Sequence, residues 1–363
     1  MREKWTLRSL AEKINGEVMG DPSLSVEGVV SPAKLRSGMI ACLWDSPDAL
    51  SARQGCVSGM ELPKDGHFVA LPAFFALNPC ATGIAVENPK KTFPLLLSLF
   101  SRTLPPSSAS GIHPSAVVSE EASVADSAWV GPLCVIEAGA VIGENACLRG
   151  RVFIGEGSVV GSGTVIEPGV VLLEKVRTGK NCLIHSNVVL GCDGFGITPS
   201  EEGVPPEKIP QLGGVVLGDG VEVGACTTVD RGTLDDTEIG DETKIDNHVH
   251  IAHNVRIGRH CIIVAMTGIA GSAILEDNVI MAARSGVKEH TRIGRGATVA
   301  AQGGAIKDVP PGAVVSGFPA RPHRENFRIQ AALQRLPEMM ARLKTLEKLF
   351  SGSSSERPAD GKS

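Results

Sequence analysis

Residues 128–150 read AWVGPLCVIEAGAVIGENACLRG, and every sixth one is a branched aliphatic: Val130, Ile136, Ile142 and Leu148. The period extends outward in both directions. Upstream it passes through Val124 and Val118 to Ile112, and downstream through Ile154, Val160 and Ile166 to Leu172. Thr178 interrupts it, and Ile184 and Leu190 resume it in register. A second run steps by six from Ile239 through Ile245, Ile251, Ile257, Ile263, Ile269, Leu275, Met281, Val287 and Ile293 to Val299. Gly often follows the aliphatic position, as at Gly131, Gly143, Gly155, Gly240 and Gly258. A period of six is neither the 3.6 of a helix nor simple strand alternation; it is the hexapeptide signature of a parallel β-helix. Each hexad supplies one short strand with one inward aliphatic side chain, and three hexads close one coil. Coils then stack at about 4.8 Å, the ordinary strand spacing. Gly, Asn and Asp suit the corners, where a positive φ is needed.

Two stretches leave the period. Cys192–Val216 carries Gly-Phe-Gly, Glu201, Glu202 and Pro205-Pro206, and Asp230–Glu238 shifts the phase. Loops that protrude from a solenoid often carry its binding function. Residues 1–105 lack the period and read as a small α/β domain. In it, Thr6 is placed to cap a helix with Leu7, Leu10, Ala11 and Ile14 on one face, ended by Gly16. Leu24–Val30 and His67–Leu71 are strand-like, and Thr92 is placed to cap a second helix running through Phe100. Residues 111–318 form the β-helix domain. A helical extension spans 319–350, with Leu333, Leu336, Met340 and Leu343 in an apolar stripe. Residues 351–363 are polar and aperiodic, the composition of a disordered tail.

Composition narrows the function. Across 363 residues the formal net charge is −5, which gives no reason to expect nucleic acid. The nine cysteines are scattered with no C-x-x-C spacing, as expected of reduced thiols in a cytoplasmic protein rather than of a disulfide framework or a zinc ribbon. There is no apolar stretch long enough to span a membrane. The C-terminal segment is locally basic and offers a dock for an acidic partner.

The chemistry concentrates in the second run. His248, His250 and His253 lie close together, and His290 follows. Ile251 and Val287 are six hexads apart, two full coils, so His253 and His290 share a face, with Gly271 one coil after His253. A general base, a backbone N–H from a Gly turn and a second polar side chain on one groove are the parts that acyl transfer needs. Asp246, seven positions before His253, is placed to hold the imidazole in one tautomer, like the carboxylate of a triad.

Several blocks then carry a resemblance: GCDGFG at 191–196, TVDRGTLDDT at 228–237, KIDN at 244–247, IAHNVRIG at 251–258, GIAGS at 268–272 and KDVPPG at 307–312. In this order and spacing the chain resembles the UDP-3-O-acylglucosamine N-acyltransferase family of lipid A synthesis. The resemblance implies a left-handed parallel β-helix and a homotrimer with active sites in grooves between subunits. It implies transfer of a 3-hydroxyacyl group from acyl carrier protein to the 2-amine of a UDP-3-O-acylglucosamine. No cofactor beyond the carrier's phosphopantetheine is implied, and no metal. His253 falls at the general base, Asp246 at its partner acid and Gly271 at the oxyanion donor. His290, Phe195 and Asn254 fall at substrate contacts; the segment Ile40–Pro47 departs from the family's uridine segment, and its Trp44, about two positions out of register, is the residue available to stack on uracil. Lys307, Arg321 and Arg324 fall where the carrier protein docks. Glu289 departs from the pattern, standing where the family commonly has Gly.

Three other readings compete. Another hexapeptide acyltransferase, such as the sugar-nucleotide O-acyltransferase, would lack the N-terminal domain. A hexapeptide metalloenzyme of carbonic anhydrase type would use His248 and His253, five positions apart, but no third His falls about two coils upstream of either, at 212 or 217. A non-catalytic scaffold has no need of the Asp246, His253, Gly271 and His290 set.

Overall fold

The computed structural model describes residues 5–43, 66–101, 110–198, 205–317 and 322–352. The chain divides into two units, Met1–Ser107 and Ser108–Ser363.

In the second unit each hexad forms a two-residue strand, as at Val135–Ile136, Val141–Ile142 and Cys147–Leu148. The second residue of each points inward, because alternate strand residues face opposite sides. Each strand pairs in parallel with the strand one coil on: Val130 with Leu148, and Leu148 with Ile166, three hexads apart each time. Three parallel sheets of nine, eleven and ten strands form the three walls of a solenoid. The inward column is almost solvent-free, with Val130, Leu148, Ile166 and Ile184 all at 0% exposure. Each such side chain contributes roughly 1.5–3 kcal/mol by leaving water, so the stack is held mainly by this column. Corners use residues at positive φ, such as Asn145 at 55° and Asn181 at 54°. Buried threonines tie corners together. Thr243 Oγ1 donates to Gly258 O and accepts from Cys261 N–H, so a polar side chain inside the wall is fully satisfied.

Thr178, which breaks the aliphatic period, still lies inside the wall at 5% exposure. Its hydroxyl accepts the Gly161 N–H at 3.1 Å, which satisfies it there. The two departures from the period are insertions between stacked strands. Val189 pairs with Thr228, and Thr228 with His250, and both separations exceed the three hexads of a regular coil. From His250 to Gly268 the spacing returns to three hexads.

The first unit is built on a five-stranded sheet in the order Glu17–Met19, Thr82–Ala85, His67–Ala70, Met39–Cys42, Gly28–Val29. Only the first pairing is antiparallel. The helix Leu7–Ile14 begins at Thr6, whose side chain accepts from Ser9 N–H, and ends at Asn15 in the left-handed conformation, one position before the expected Gly16. It buries Leu7, Leu10, Ala11 and Ile14. The second helix of the sequence reading runs Pro89–Phe100 and is capped by Asn88 rather than Thr92. Asn88 accepts the Lys91 N–H and Pro89 takes the first helical position, so the helix starts a turn earlier. At the other end of the chain, one helix spans His323–Gly352 and keeps Leu333, Leu336, Met340 and Leu343 exposed.

Candidate active site

Ile251, Ile269 and Val287 stack as partners in one wall. The corner after each therefore lies over the next: Ala252-His253-Asn254, Ala270-Gly271-Ser272 and Lys288-Glu289-His290. Backbone bonds lock the three together. Ser272 N–H donates to His253 O at 2.9 Å, and His290 N–H to Gly271 O at 3.2 Å. His253 and Gly271 thus lie one above the other along one edge of the solenoid, with Glu289 level with them on the next coil and His290 one position further on.

The imidazole of His253 is bracketed by two glycines. A Cβ on Gly271 would stand 2.7 Å from both Cε1 and Nε2, and a Cβ on Gly194 would stand 2.8 Å from Cγ and Cδ2. Gly194 belongs to the first insertion, so that insertion folds back to wall the ring on one side while the next coil walls it on the other. Its Nδ1 lies 3.0 Å from Asn254 Oδ1. The Gly271 N–H makes no hydrogen bond among the described residues. A groove of about 760 Å³ opens here, lined by Phe195, Asp230, His250, His253, Gly271 and His290, among others. Phe195 is 85% exposed at its lip.

One wall of the groove carries a column of glycines. His250 stacks on Gly268, which stacks on Gly286 and then Gly304. A Cβ on Gly268 or Gly304 would meet nothing within 4 Å, and one on Gly286 only Gly268 O at 3.8 Å. Packing within the chain does not demand these glycines. They leave an open lane beside His253.

One polar residue of the groove, Asp230, was not singled out in the sequence. Asp230 is 6% exposed. Burial pushes its carboxyl above the ordinary range, against the opposing pull of His250 and His253. His250 Nε2 lies 3.7 Å from Asp230 Oδ2, and its Nδ1 is 2.9 Å from Thr228 Oγ1. The next residue, Arg231, anchors the first insertion. Its buried guanidinium donates to Gly191 O at 2.7 Å and to Glu174 Oε1 and Glu174 O.

The bacterial transferase hexapeptide (six repeats) family model matches residues 236–271, which include His253 and Gly271. A UDP-N-acetylglucosamine acyltransferase structure from Arabidopsis superimposes with a TM-score of 0.51 at 26% identity, covering 69% of this chain and 86% of that one. The UDP-3-O-acylglucosamine N-acyltransferase of a Methylobacterium species is 52% identical over 153 residues, 42% of this chain and 43% of its own length, so that match spans less than half of the relative. The enzyme of the same name from Coxiella burnetii is 36% identical over 348 residues, 95% of this chain and 98% of its own. The chain belongs to the UDP-3-O-acylglucosamine N-acyltransferase family.

Not every residue that the family resemblance singles out lies in the groove. Asp246 does not meet His253 within the chain: its carboxylate accepts Asn247 N–H at 2.7 Å and Ala265 N–H at 3.1 Å. It lines a separate hollow of about 540 Å³, with Glu167, His185, Glu222 and Asn247. The physical reason is the coil. Strand Lys244–Ile245 is in the eleven-stranded wall and His250–Ile251 in the ten-stranded one, so a corner separates the two residues. Asn254, expected as a substrate contact, is absent from the groove lining, and its carbonyl oxygen faces His253 instead. Lys307 and Arg324 are exposed, while Trp44 and Arg321 lie outside the described residues. His248 does not line the groove of His253. Among the described residues no group of three or more His, Cys, Asp or Glu is arranged to hold a metal ion, and no helix is long and apolar enough to cross a membrane.

Proposed function

We propose that this protein is the N-acyltransferase that moves a 3-hydroxyacyl group from acyl carrier protein to the 2-amine of UDP-3-O-(3-hydroxyacyl)glucosamine. The observation that carries the reading is the pinned imidazole of His253 beside a glycine-walled lane. With Nδ1 facing the Asn254 carbonyl oxygen, Nε2 is the nitrogen available to a substrate. The 2-amine attacks the thioester carbonyl while His253 Nε2 takes its proton. The Gly271 N–H stabilises the oxyanion that forms. Collapse of that intermediate breaks the carbon–sulfur bond, and the imidazolium returns the proton to the departing phosphopantetheine sulfur. The lane along Gly268, Gly286 and Gly304 takes the acyl chain, and His290 and Phe195 contact the sugar nucleotide.

Asp246 enters through assembly. In a cyclic homotrimer each protomer presents different walls to its two neighbours. The hollow with Asp246 on one protomer then faces the groove with His253 on the next, and the two halves make one site. Lys307, Arg321, Arg324 and the C-terminal helix receive the acidic carrier protein, and Trp44 the uracil. The reaction runs in the cytoplasm.

The test is an assay of the purified protein with 3-hydroxyacyl carrier protein and the UDP-sugar acceptor, wild type against His253→Ala. Loss of a general base lowers the rate roughly 10²- to 10⁴-fold. Diacyl product from wild type and that loss in the variant support the reading. An inactive wild type, or an undiminished variant, overturns it.

A further inference from the structure

The two departures from the hexapeptide period meet behind the base. The first insertion brings Gln211, 6% exposed, and the second brings Thr233. Thr233 Oγ1 lies 2.8 Å from Gln211 Oε1 and 3.0 Å from Asn254 Oδ1, and Thr233 N–H donates to the same Asn254 Oδ1 at 3.1 Å. Gln211 Nε2 donates to Ile209 O at 3.0 Å and to Pro210 O at 3.4 Å.

Hydrogen-bond chemistry turns these distances into a protonation pattern. A backbone N–H only donates, so the Asn254 atom facing Thr233 is its oxygen. That oxygen also faces His253 Nδ1. It carries no proton, so Nδ1 must, and the lone pair of the neutral ring sits on Nε2, beside Gly271. Gln211 is oriented by the same logic. Its amide nitrogen is committed to two carbonyls, so its oxygen is the one that meets the Thr233 hydroxyl. The single hydroxyl proton of Thr233 is shared between two fixed oxygens.

We infer that Thr233 and Gln211 are positioning residues for the base, holding the Asn254 amide in the one orientation that keeps the proton of His253 on Nδ1 and its lone pair on Nε2. Among the described residues neither side chain hydrogen-bonds a residue that lines the groove; they act through Asn254. Without the Thr233 hydroxyl only the Thr233 N–H still holds the Asn254 oxygen in place, and the flipped amide becomes more populated. A flipped amide presents its NH₂ to Nδ1, which places the lone pair on the wrong nitrogen and opposes the imidazolium. The inference rests on the acyl-transfer reading only for its kinetic arm.

The variants are Thr233→Val, which keeps the shape and loses the hydroxyl, and Thr233→Ser, which keeps the hydroxyl. The substrate-free arm reads the His253 tautomer from imidazole ¹⁵N shifts of the full-length protein. Wild type and Thr233→Ser should show the proton on Nδ1, and Thr233→Val a mixture. In the kinetic arm, Thr233→Val should lower kcat about tenfold to a hundredfold, the scale of a misplaced reacting group. It should leave the acceptor KM unchanged and move the acid limb of the pH profile to lower pH, and Thr233→Ser should restore kcat. A wild-type proton on Nε2, or a Thr233→Val protein with unchanged tautomer and kcat, overturns the inference. So does a loss that falls on KM, or one that Ser does not rescue. If wild type is inactive with this substrate pair but the tautomer still follows Thr233, the acyl-transfer reading fails and the positioning of His253 stands.

Discussion

A methyl group on Gly271 would lie 2.7 Å from His253 Nε2, well inside van der Waals contact. The backbone of Gly271 does not adopt a positive φ, so the conformation itself accepts a side chain. Gly271→Ala therefore leaves the coil intact and pushes the imidazole from its place between Gly271 and Gly194. A shift of about 1 Å in a reacting group costs on the order of 10²-fold. The expected outcome is a kcat lowered by about that factor with little change in Tm. A variant that retains full kcat would show that the contact does not set the position of the base.

The fold was legible because a period of six has one structural solution, and positions three hexads apart share a wall. The same counting explains what was not legible. Asp246 and His253 are seven apart, and a corner of the solenoid intervenes, so nearness in sequence puts them on different walls. Asp230 was hidden by the phase shift. Counting back three hexads from Ala252 lands on Leu234, whereas Val229 pairs with Ile251 and puts Asp230 beside Ala252. The phase shift at Asp230–Glu238 was the signal, and following it back from Leu234 to Asp230 finds the carboxylate. Asn88 took the cap from Thr92 because a Pro at the first helical position starts the helix before any hydrophobic pattern announces it.

Placing Asp246 on a wall away from His253 makes a test of the shared site. Asp246→Ala and His253→Ala, each inactive alone, are unfolded, mixed in equal amounts and reassembled. If sites form between neighbours, about a quarter of them in randomly mixed cyclic trimers pair an intact His253 with an intact Asp246. Activity should return toward that fraction of wild type. If both residues serve one site within a single chain, the mixture stays inactive.

The glycine column makes a prediction about chain length. A side chain on Gly286 meets nothing closer than Gly268 O at 3.8 Å, so Gly286→Leu is tolerated by the fold and fills the lane. Turnover of long 3-hydroxyacyl donors should fall at least about tenfold, while shorter donors lose much less, since each excluded methylene forgoes about 0.8 kcal/mol of burial. A donor series measured on wild type and variant checks this. An equal loss at every length would mean that the acyl chain lies elsewhere.

A pH dependence of stability follows from the ladder on the eleven-stranded wall. His185 Nδ1 lies 3.3 Å from Glu167 Oε2 and its Nε2 lies 3.0 Å from Glu222 Oε1. Only the imidazolium donates to both. Burial alone would lower the pKa of His185, but the hydrogen bonds and negative charges of Glu222 and Glu167 together outweigh it, and the net shift is upward. A group whose pKa is raised in the folded state contributes its stability fully below the unfolded value, near 6.5, and loses it as pH rises through the folded value. Wild type should therefore lose more Tm than His185→Gln between about pH 6 and about pH 8, because the neutral amide has no proton to lose. Melting curves of the two proteins across that range decide it. Parallel curves would show that the two carboxylates do not hold His185 in its charged form.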